Sequence, residues 1–301
     1  MAARLLSEGI AGHSEDSPLV IWNRTVEKCL QFKSKFEGKN IVVASSAKEV
    51  VQSASITFSM LSTPAASRAV FDAEDGVLAG VTEGKAIVDC ATLAEADMVR
   101  MSEAVENKNG RFLEAPVSGS KIPAAMGALI FLCAGSQELF EELESELGAL
   151  KVMGKASHYF GPKVGLGTRA KLVVNSLMGT MLAAFGEGLA LAESVGLDGD
   201  KMIEVISQGA IQSPIYALKG PKMLVKDHAP NFPLKHAHKD MKLASEMART
   251  ARVEYSVMQA AENLYLQARE DPEVNLADMD FSAVFETIHK KSDSDFSRRR
   301  P

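Results

Sequence analysis

The chain has 301 residues, 46% of them apolar and 24% charged, with 33 basic against 39 acidic side chains. That length suits two domains at roughly 150 residues each, and the apolar share is enough for sizeable cores. A net charge of −6 argues against a nucleic-acid surface spread over the protein, while three cysteines without a Cys-x-x-Cys pair exclude a disulfide framework or zinc knuckle and suit a reducing, intracellular compartment.

The first residues lack the apolar run of a secretory signal. Short apolar runs at 19–22, 41–43, 55–61, 86–90, 111–113 and 128–134 alternate with helical spacing, as at 47–52 and 95–107. Apolar runs bounded by helices mean strands buried on both faces. Strand and helix in alternation imply right-handed β-α-β units and a parallel sheet. Residues 1–161 are therefore predicted to form a doubly wound, Rossmann-like α/β domain. After Gly161 no strand pattern returns. One long helix is predicted from Thr168 to about Val195, then helices at 198–208, 235–250 and 256–270, with a loop at 213–221. Residues 162–289 thus form an all-α domain, and 290–301 a polar, disordered tail. The stretch 172–192 is the most apolar in the chain, but Asn175, Glu187 and three glycines within it argue against a membrane span. It reads as a helix covered by other helices or by a second subunit, which predicts a homodimer or homotetramer.

Four places carry chemistry. The run 19–22 ends in Asn23–Arg24–Thr25, with no carboxylate until Glu27. This is either a surface turn with a helix cap at Thr25 or, in a dinucleotide-binding fold, the place where a guanidinium grips the extra phosphate of NADP. Second, in APVSGSKIPAAMG (115–127), Pro116, Gly119 and Pro123 are expected to prevent a regular helix. Ser118 and the amides around Gly119 and Ser120 either form an ordinary loop or a nest for a carboxylate, with Lys121 adding charge.

Third, Gly165-x-Gly167-x-x-x-Lys171-x-x-x-Asn175 sets Lys171 and Asn175 four apart on one helix face among apolar residues. Lys171 is either a side chain snorkelling at a helix end or a proton donor, since apolar surroundings lower a lysine pKa. Fourth, FPLKHAHKDM (232–241) opens a helix. His236 and His238 point to different faces, so no metal pair is expected. Lys239 and Asp240 lie near a helix start that is either simply solvated or closes over a cofactor.

The order of these motifs resembles the β-hydroxyacid dehydrogenases, which include 3-hydroxyisobutyrate dehydrogenases and tartronate semialdehyde reductases. The likeness is nearest to the plant-type glyoxylate/succinic semialdehyde reductases, through VIWNRTVEKC (20–29), RFLEAPVSGSKIPA (111–124), KLVVN (171–175), FPLKHAHKDMKLA (232–244) and DMDFSAV (278–284). It covers almost the whole chain, to about Ile288. The resemblance implies an active site in a cleft between a Rossmann-like domain and a helical substrate and dimerisation domain. It implies that Lys171 is the catalytic acid, and that Ser118, Gly119, Ser120, Asn175, Phe232 and Asp240 bind substrate. Asn23, Arg24, Thr25, Leu61, Ser62, Thr63, Thr92 and Lys239 would contact NADP(H). The substrate would be a small carboxylate-bearing aldehyde, glyoxylate or succinic semialdehyde, with no nucleic-acid or membrane partner.

Several features depart from the family pattern. The first strand and its G-x-G-x-x-G loop, whose amides hold the pyrophosphate, would precede Met1, which starts inside the following helix; an incomplete gene model or wrongly chosen start codon is the expectation. Taken literally, the sheet lacks a central strand, its neighbours' hydrogen bonds are unpaired, and NADP is bound poorly. Any targeting segment would lie in that missing part. Ala91 stands where Ser usually precedes Thr92, Val174 replaces the first of two asparagines, and 7–18 is a longer, more polar link than expected. The alternatives are an NAD-dependent 3-hydroxyisobutyrate-type dehydrogenase, which the Asn23–Arg24 ending disfavours, and a catalytically silent scaffold, which the presence of Lys171 disfavours.

Overall fold

The computed structural model describes residues 1–290; the predicted tail falls almost wholly outside them. The chain divides into two units, Met1–Lys171 and Leu172 onward. The first unit runs α1 (Ala2–Ser7), β1 (Leu19–Ile21), α2 (Val26–Ser34), β2 (Ile41–Val43), α3 (Ala47–Ser53), β3 (Ile56–Ser59), α4 (Pro64–Phe71) and α5 (Val77–Gly80). It continues through β4 (Ala86–Asp89), α6 (Glu95–Glu106), β5 (Arg111–Glu114), β6 (Val117–Ser118), α7 (Lys121–Met126) and β7 (Leu129–Gly135). After β7 come α8 (Gln137–Glu141), α9 (Ala149–Met153) and β8 (Gly154–Tyr159).

β3, β4 and β5 are parallel and in register, so that Ser59, Asp89 and Glu114 stand side by side at their carboxyl ends. β4 is buried on both faces. Ala86 and Val88 enter one apolar cluster with Leu113, Phe131 and Met153, while Ile87 enters the other with Phe112, Phe71 and Met98. That is why this strand reads as an unbroken apolar run. Local signals fix several helix starts. Ser46 accepts from the Glu49 amide while the Glu49 carboxylate reaches back to the Ser45 amide, and Thr63 caps α4 with Pro64 in its first position.

The sheet is in two pieces. β1 pairs only with β2, and the second piece has the order β3-β4-β5-β7-β6, with β8 on β7. β1 and β3 therefore each keep one edge outside any ladder among the described residues, the interruption expected from the sequence. Both are half-buried over most of their length, unlike β4.

The structure also corrects the sequence expectations. The sheet is mixed: β7 runs antiparallel to β5 and β6. A short helix, α7, forms where Pro123 was expected to prevent one, because a proline in the first turn removes an amide that has no intrahelical partner. β8 was not foreseen, since Gly154–Tyr159 mixes exposed and half-buried polar residues.

The second unit is helical: α10 (Leu166–Ser194, beginning in the first unit), α11 (Gly199–Gln208), α12 (Pro214–Leu224), α13 (Leu234–Ala251) and α14 (Ser256–Arg269), then a 3-10 turn at Phe281–Ala283. Its core gathers Leu182, Phe185, Leu189, Met223, Met241, Tyr265 and Phe285. α12 replaces the loop expected at 213–221. Ser213 caps it and Pro214 fills its first position, and an ion pair from Lys219 to Asp280 anchors it despite the internal Pro221. α10 is long and apolar enough to cross a membrane by length and composition, and half of its most apolar window is buried.

Candidate active site

In the first unit the expected cofactor residues follow the carboxyl ends of strands, where ligands of open α/β sheets bind. Asn23, Arg24 and Thr25 follow β1, Leu61, Ser62 and Thr63 follow β3, and Thr92 follows β4. Asn23 Oδ1 accepts from the Thr25 amide at 2.9 Å, a tight turn that leaves all three residues exposed. Thr25 occupies the cap position of α2, but its hydroxyl makes no capping bond. The exposed guanidinium and neutral side chains suit a phosphate better than a ribose diol. Thr63 spends its hydroxyl on the Ala66 amide, at 3.1 Å.

Ser118 ends β6, Gly119 is exposed, and Ser120 sits at the start of α7, where its side chain makes no capping bond. The neighbouring Lys121 is exposed.

The sequence reasoning missed two carboxylates that shape this end of the sheet. Burial pushes Asp89 up to about 6, against the hydrogen bond from the Ala91 amide. Burial also raises Glu114, against bonds from Thr168, Gly165 and Gly167. Glu114 Oε1 accepts from the amides of Gly165 (2.5 Å) and Gly167 (2.9 Å), and Oε2 from the amide (3.2 Å) and hydroxyl (2.7 Å) of Thr168. The Gly-x-Gly pattern has its reason here. Gly165 has φ +109°, and a Cβ on Gly167 would lie 2.3 Å from the Leu132 carbonyl oxygen. Glu114 lay inside the RFLEAPVSG motif, but nothing in strand periodicity indicates that an acidic residue will meet a helix start some fifty positions later.

Lys171 lies in the first turns of α10 and is only 6% exposed. Asn175, one turn further along the same helix, is also buried. In the second unit the Asn175 amide donates from Nδ2 to Asp240 Oδ2 at 2.7 Å, which fixes its orientation. Lys239 Nζ lies 2.8 Å from Asp240 Oδ1, so the carboxylate, 2% exposed, is neutralised by its neighbour. Both residues fall on the second turn of α13. Phe232 stands before that helix, edge-on to Phe281 with ring centroids 5.6 Å apart. Its amide and that of Asn231 donate to Asp280. Both ring nitrogens of His238 are engaged. Arg269 donates to its Nδ1, which leaves Nε2–H to donate to Glu262. Burial lowers the pKa of His238.

Comparisons with known proteins identify the family. Residues 2–161 match the family model described as the NAD binding domain of 6-phosphogluconate dehydrogenase. Residues 165–288 match that of the NAD-binding domain of NADP-dependent 3-hydroxyisobutyrate dehydrogenase. The chain is 40% identical over 270 residues to glyoxylate/succinic semialdehyde reductase 1 of Arabidopsis thaliana, covering 90% of each chain. It is 41% identical to the chloroplastic reductase 2 of the same plant, over 90% of this chain and 72% of that one. A solved 3-hydroxyisobutyrate dehydrogenase from Salmonella typhimurium shares the fold, with a TM-score of 0.81 at 24% identity over 95% of this chain and 94% of that one. An interrupted Rossmann-like sheet, a long helix whose first turns bury Lys171 and Asn175, and two family models covering nearly the whole chain identify it as a member of the β-hydroxyacid dehydrogenase family, an oxidoreductase that uses NADP(H).

Proposed function

We propose that the protein reduces a small aldehyde acid, glyoxylate to glycolate or succinic semialdehyde to 4-hydroxybutyrate, with Lys171 as the acid. The observation that carries this reading is the buried Lys171 one turn before an Asn175 whose amide is fixed by Asp240. An ammonium sheltered from water stabilises a nascent alkoxide and delivers a proton to it. When bound, NADPH supplies the hydride that reduces the aldehyde carbon. Asn23, Arg24 and Thr25 hold its 2′-phosphate, while Leu61–Thr63, Thr92 and Lys239 line its path. Ser118 and the amides at Gly119 and Ser120 take the substrate carboxylate, with Asn175 and Phe232 orienting the chain. Asp240 acts through Asn175, and its pairing with Lys239 spares an anionic substrate the repulsion of a bare carboxylate. The names of the Arabidopsis relatives support this choice of substrate.

The test is steady-state reduction of glyoxylate and succinic semialdehyde with NADPH. Lys171→Ala should lower kcat by about 10²–10⁴, the usual contribution of a positioned general acid, and leave NADPH affinity unchanged. Lys171→Arg should fail as well, because guanidinium keeps its charge but releases no proton near neutrality. Near-normal turnover in Lys171→Arg would reduce the lysine to an electrostatic anchor.

A second subunit completes the reading. The exposed side of α10 presents Val174, Leu177, Met181, Ala184, Gly188 and Leu191 at alternating spacings of three and four. That is the seam along which two helices pack, with small residues at its middle for close approach. We infer a homodimer or homotetramer through this stripe. Light scattering should show no monomer at micromolar concentration, and Leu177→Asp should produce one.

A further inference from the structure

We infer that Glu114 is a positioning residue for Lys171: its buried carboxylate seats the start of α10 on the sheet and so fixes the turn from which the lysine projects. The inference rests on the reading of Lys171 as the acid. The first amides of a helix have no partner within it and together carry about half a positive charge, which is why helix starts commonly bind phosphates and other anions. At α10 that place is filled from inside the protein. Three amides and one hydroxyl between Gly165 and Thr168 all donate to the two oxygens of Glu114. Glu114 and Thr168 are both fully buried, so these bonds are shielded from competing water.

The chain on either side leaves little freedom. Glu114 is the last residue of β5, held in register beside Asp89. Gly167 lies against the β7 backbone so closely that no side chain fits. Arg169 forms a two-pronged pair with Glu95 at the start of α6, through Nε (2.8 Å) and Nη2 (2.5 Å). Lys171 follows two residues later on the same rigid helix. A shift of about 1 Å in a catalytic group costs up to about 100-fold in rate, so a clamp three residues before the acid acts on kcat without touching substrate.

Four variants of the full chain test this, assayed with NADPH and glyoxylate below the melting temperature of each. Glu114→Gln turns one acceptor into an amide donor facing the Thr168 amide. Thr168→Val removes the hydroxyl donor at nearly constant shape, and decides the question if the glutamine variant does not fold. Both should lower kcat at least about 10-fold, while KM for glyoxylate and for NADPH stays within about 3-fold; Thr168→Ser should restore kcat. The fourth variant is Lys171→Ala. In that background Glu114→Gln and Thr168→Val should have no further effect, because residues acting through one group are not additive. Wild-type kcat in folded Glu114→Gln and Thr168→Val, with Lys171→Ala impaired, would overturn the positioning role alone. An equal fold-loss with and without Lys171 would do the same. Wild-type turnover in Lys171→Ala would overturn the acid assignment and this one with it.

Discussion

In the sheet unit, Asp89 and Glu114 end neighbouring strands, fully buried, and are held by backbone amides and, for Glu114, the Thr168 hydroxyl. In the helical unit, buried carboxylates meet cations: Lys219 with Asp280 at 2.6 Å and Lys239 with Asp240. The titration behaviour differs accordingly. Burial pushes Asp89 up to about 6. Burial alone would also raise Asp280, yet the hydrogen bond and charge of Lys219 hold it below the ordinary range. Neutral donors locate a carboxylate but leave its ionisation expensive, whereas a cation keeps it charged and commits two elements to each other. Lys219 ties α12 to the turn at Phe281, over whose ring its ammonium sits 5.2 Å from the centroid. Asp280 in turn holds the Asn231 and Phe232 amides.

The sharpest break in this comparison is Lys219→Ala. It strands the Asp280 carboxylate in a dry site and should lower unfolding free energy by about 3–5 kcal/mol, read by urea denaturation. A loss under about 1 kcal/mol would mean that the amides around Asp280 suffice, as they do around Glu114.

Exposed charge behaves differently from both buried classes. Arg24→Ala should leave stability unchanged and weaken NADPH binding by about 1.5–3 kcal/mol, the scale of a charged hydrogen bond, with NADH barely affected. Equal losses for the two cofactors, measured by titration calorimetry, would remove Arg24 from the phosphate site.

Asp89 sharpens the contrast through pH. Its carboxyl titrates near 3.8 when unfolded and at about 6 when folded. The unfolded chain therefore gives up the proton first, and folding is penalised progressively as pH rises from 3.8 to 6 and fully above that. Asp89→Asn keeps the acceptor for the Ala91 amide and abolishes the penalty. Its stability relative to wild type should rise by about 2 kcal/mol between pH 4.5 and pH 7.5. A pH-independent difference would show that the buried carboxyl does not titrate in this window.

The smallest effect lies within the sheet itself. β1, paired on one edge only and half-buried, should exchange its amide hydrogens faster than β4, which is paired on both edges and buried throughout. Equal protection would mean that the two sheet pieces open as one unit.

Much of this was legible in the chain. The runs at 41–43 and 86–90 marked buried strands because both faces of each strand demand apolar side chains, and the 172–192 stretch marked α10 because no loop stays so apolar. Lys171 and Asn175 could be placed on one helix face from their spacing alone. Other features were not legible. Antiparallel β7 and the polar strand β8 depend on which edges are available once β5 is in place. α12 forms across a segment rich in Pro and Gly because its partner, Asp280, lies about sixty residues away.

The sequence by itself determined the class of fold, most of the strand–helix alternation of the first unit and the placing of Lys171 and Asn175 on one helix face, because periodicity, caps and short motifs are local physics. Only the tertiary structure decided that Glu114 and Thr168 meet, that Asp240 binds Asn175 and that Asp89 is driven toward neutrality. Each of these depends on desolvation and on contacts between residues far apart in the chain, and neither has a signature in the order of side chains along it.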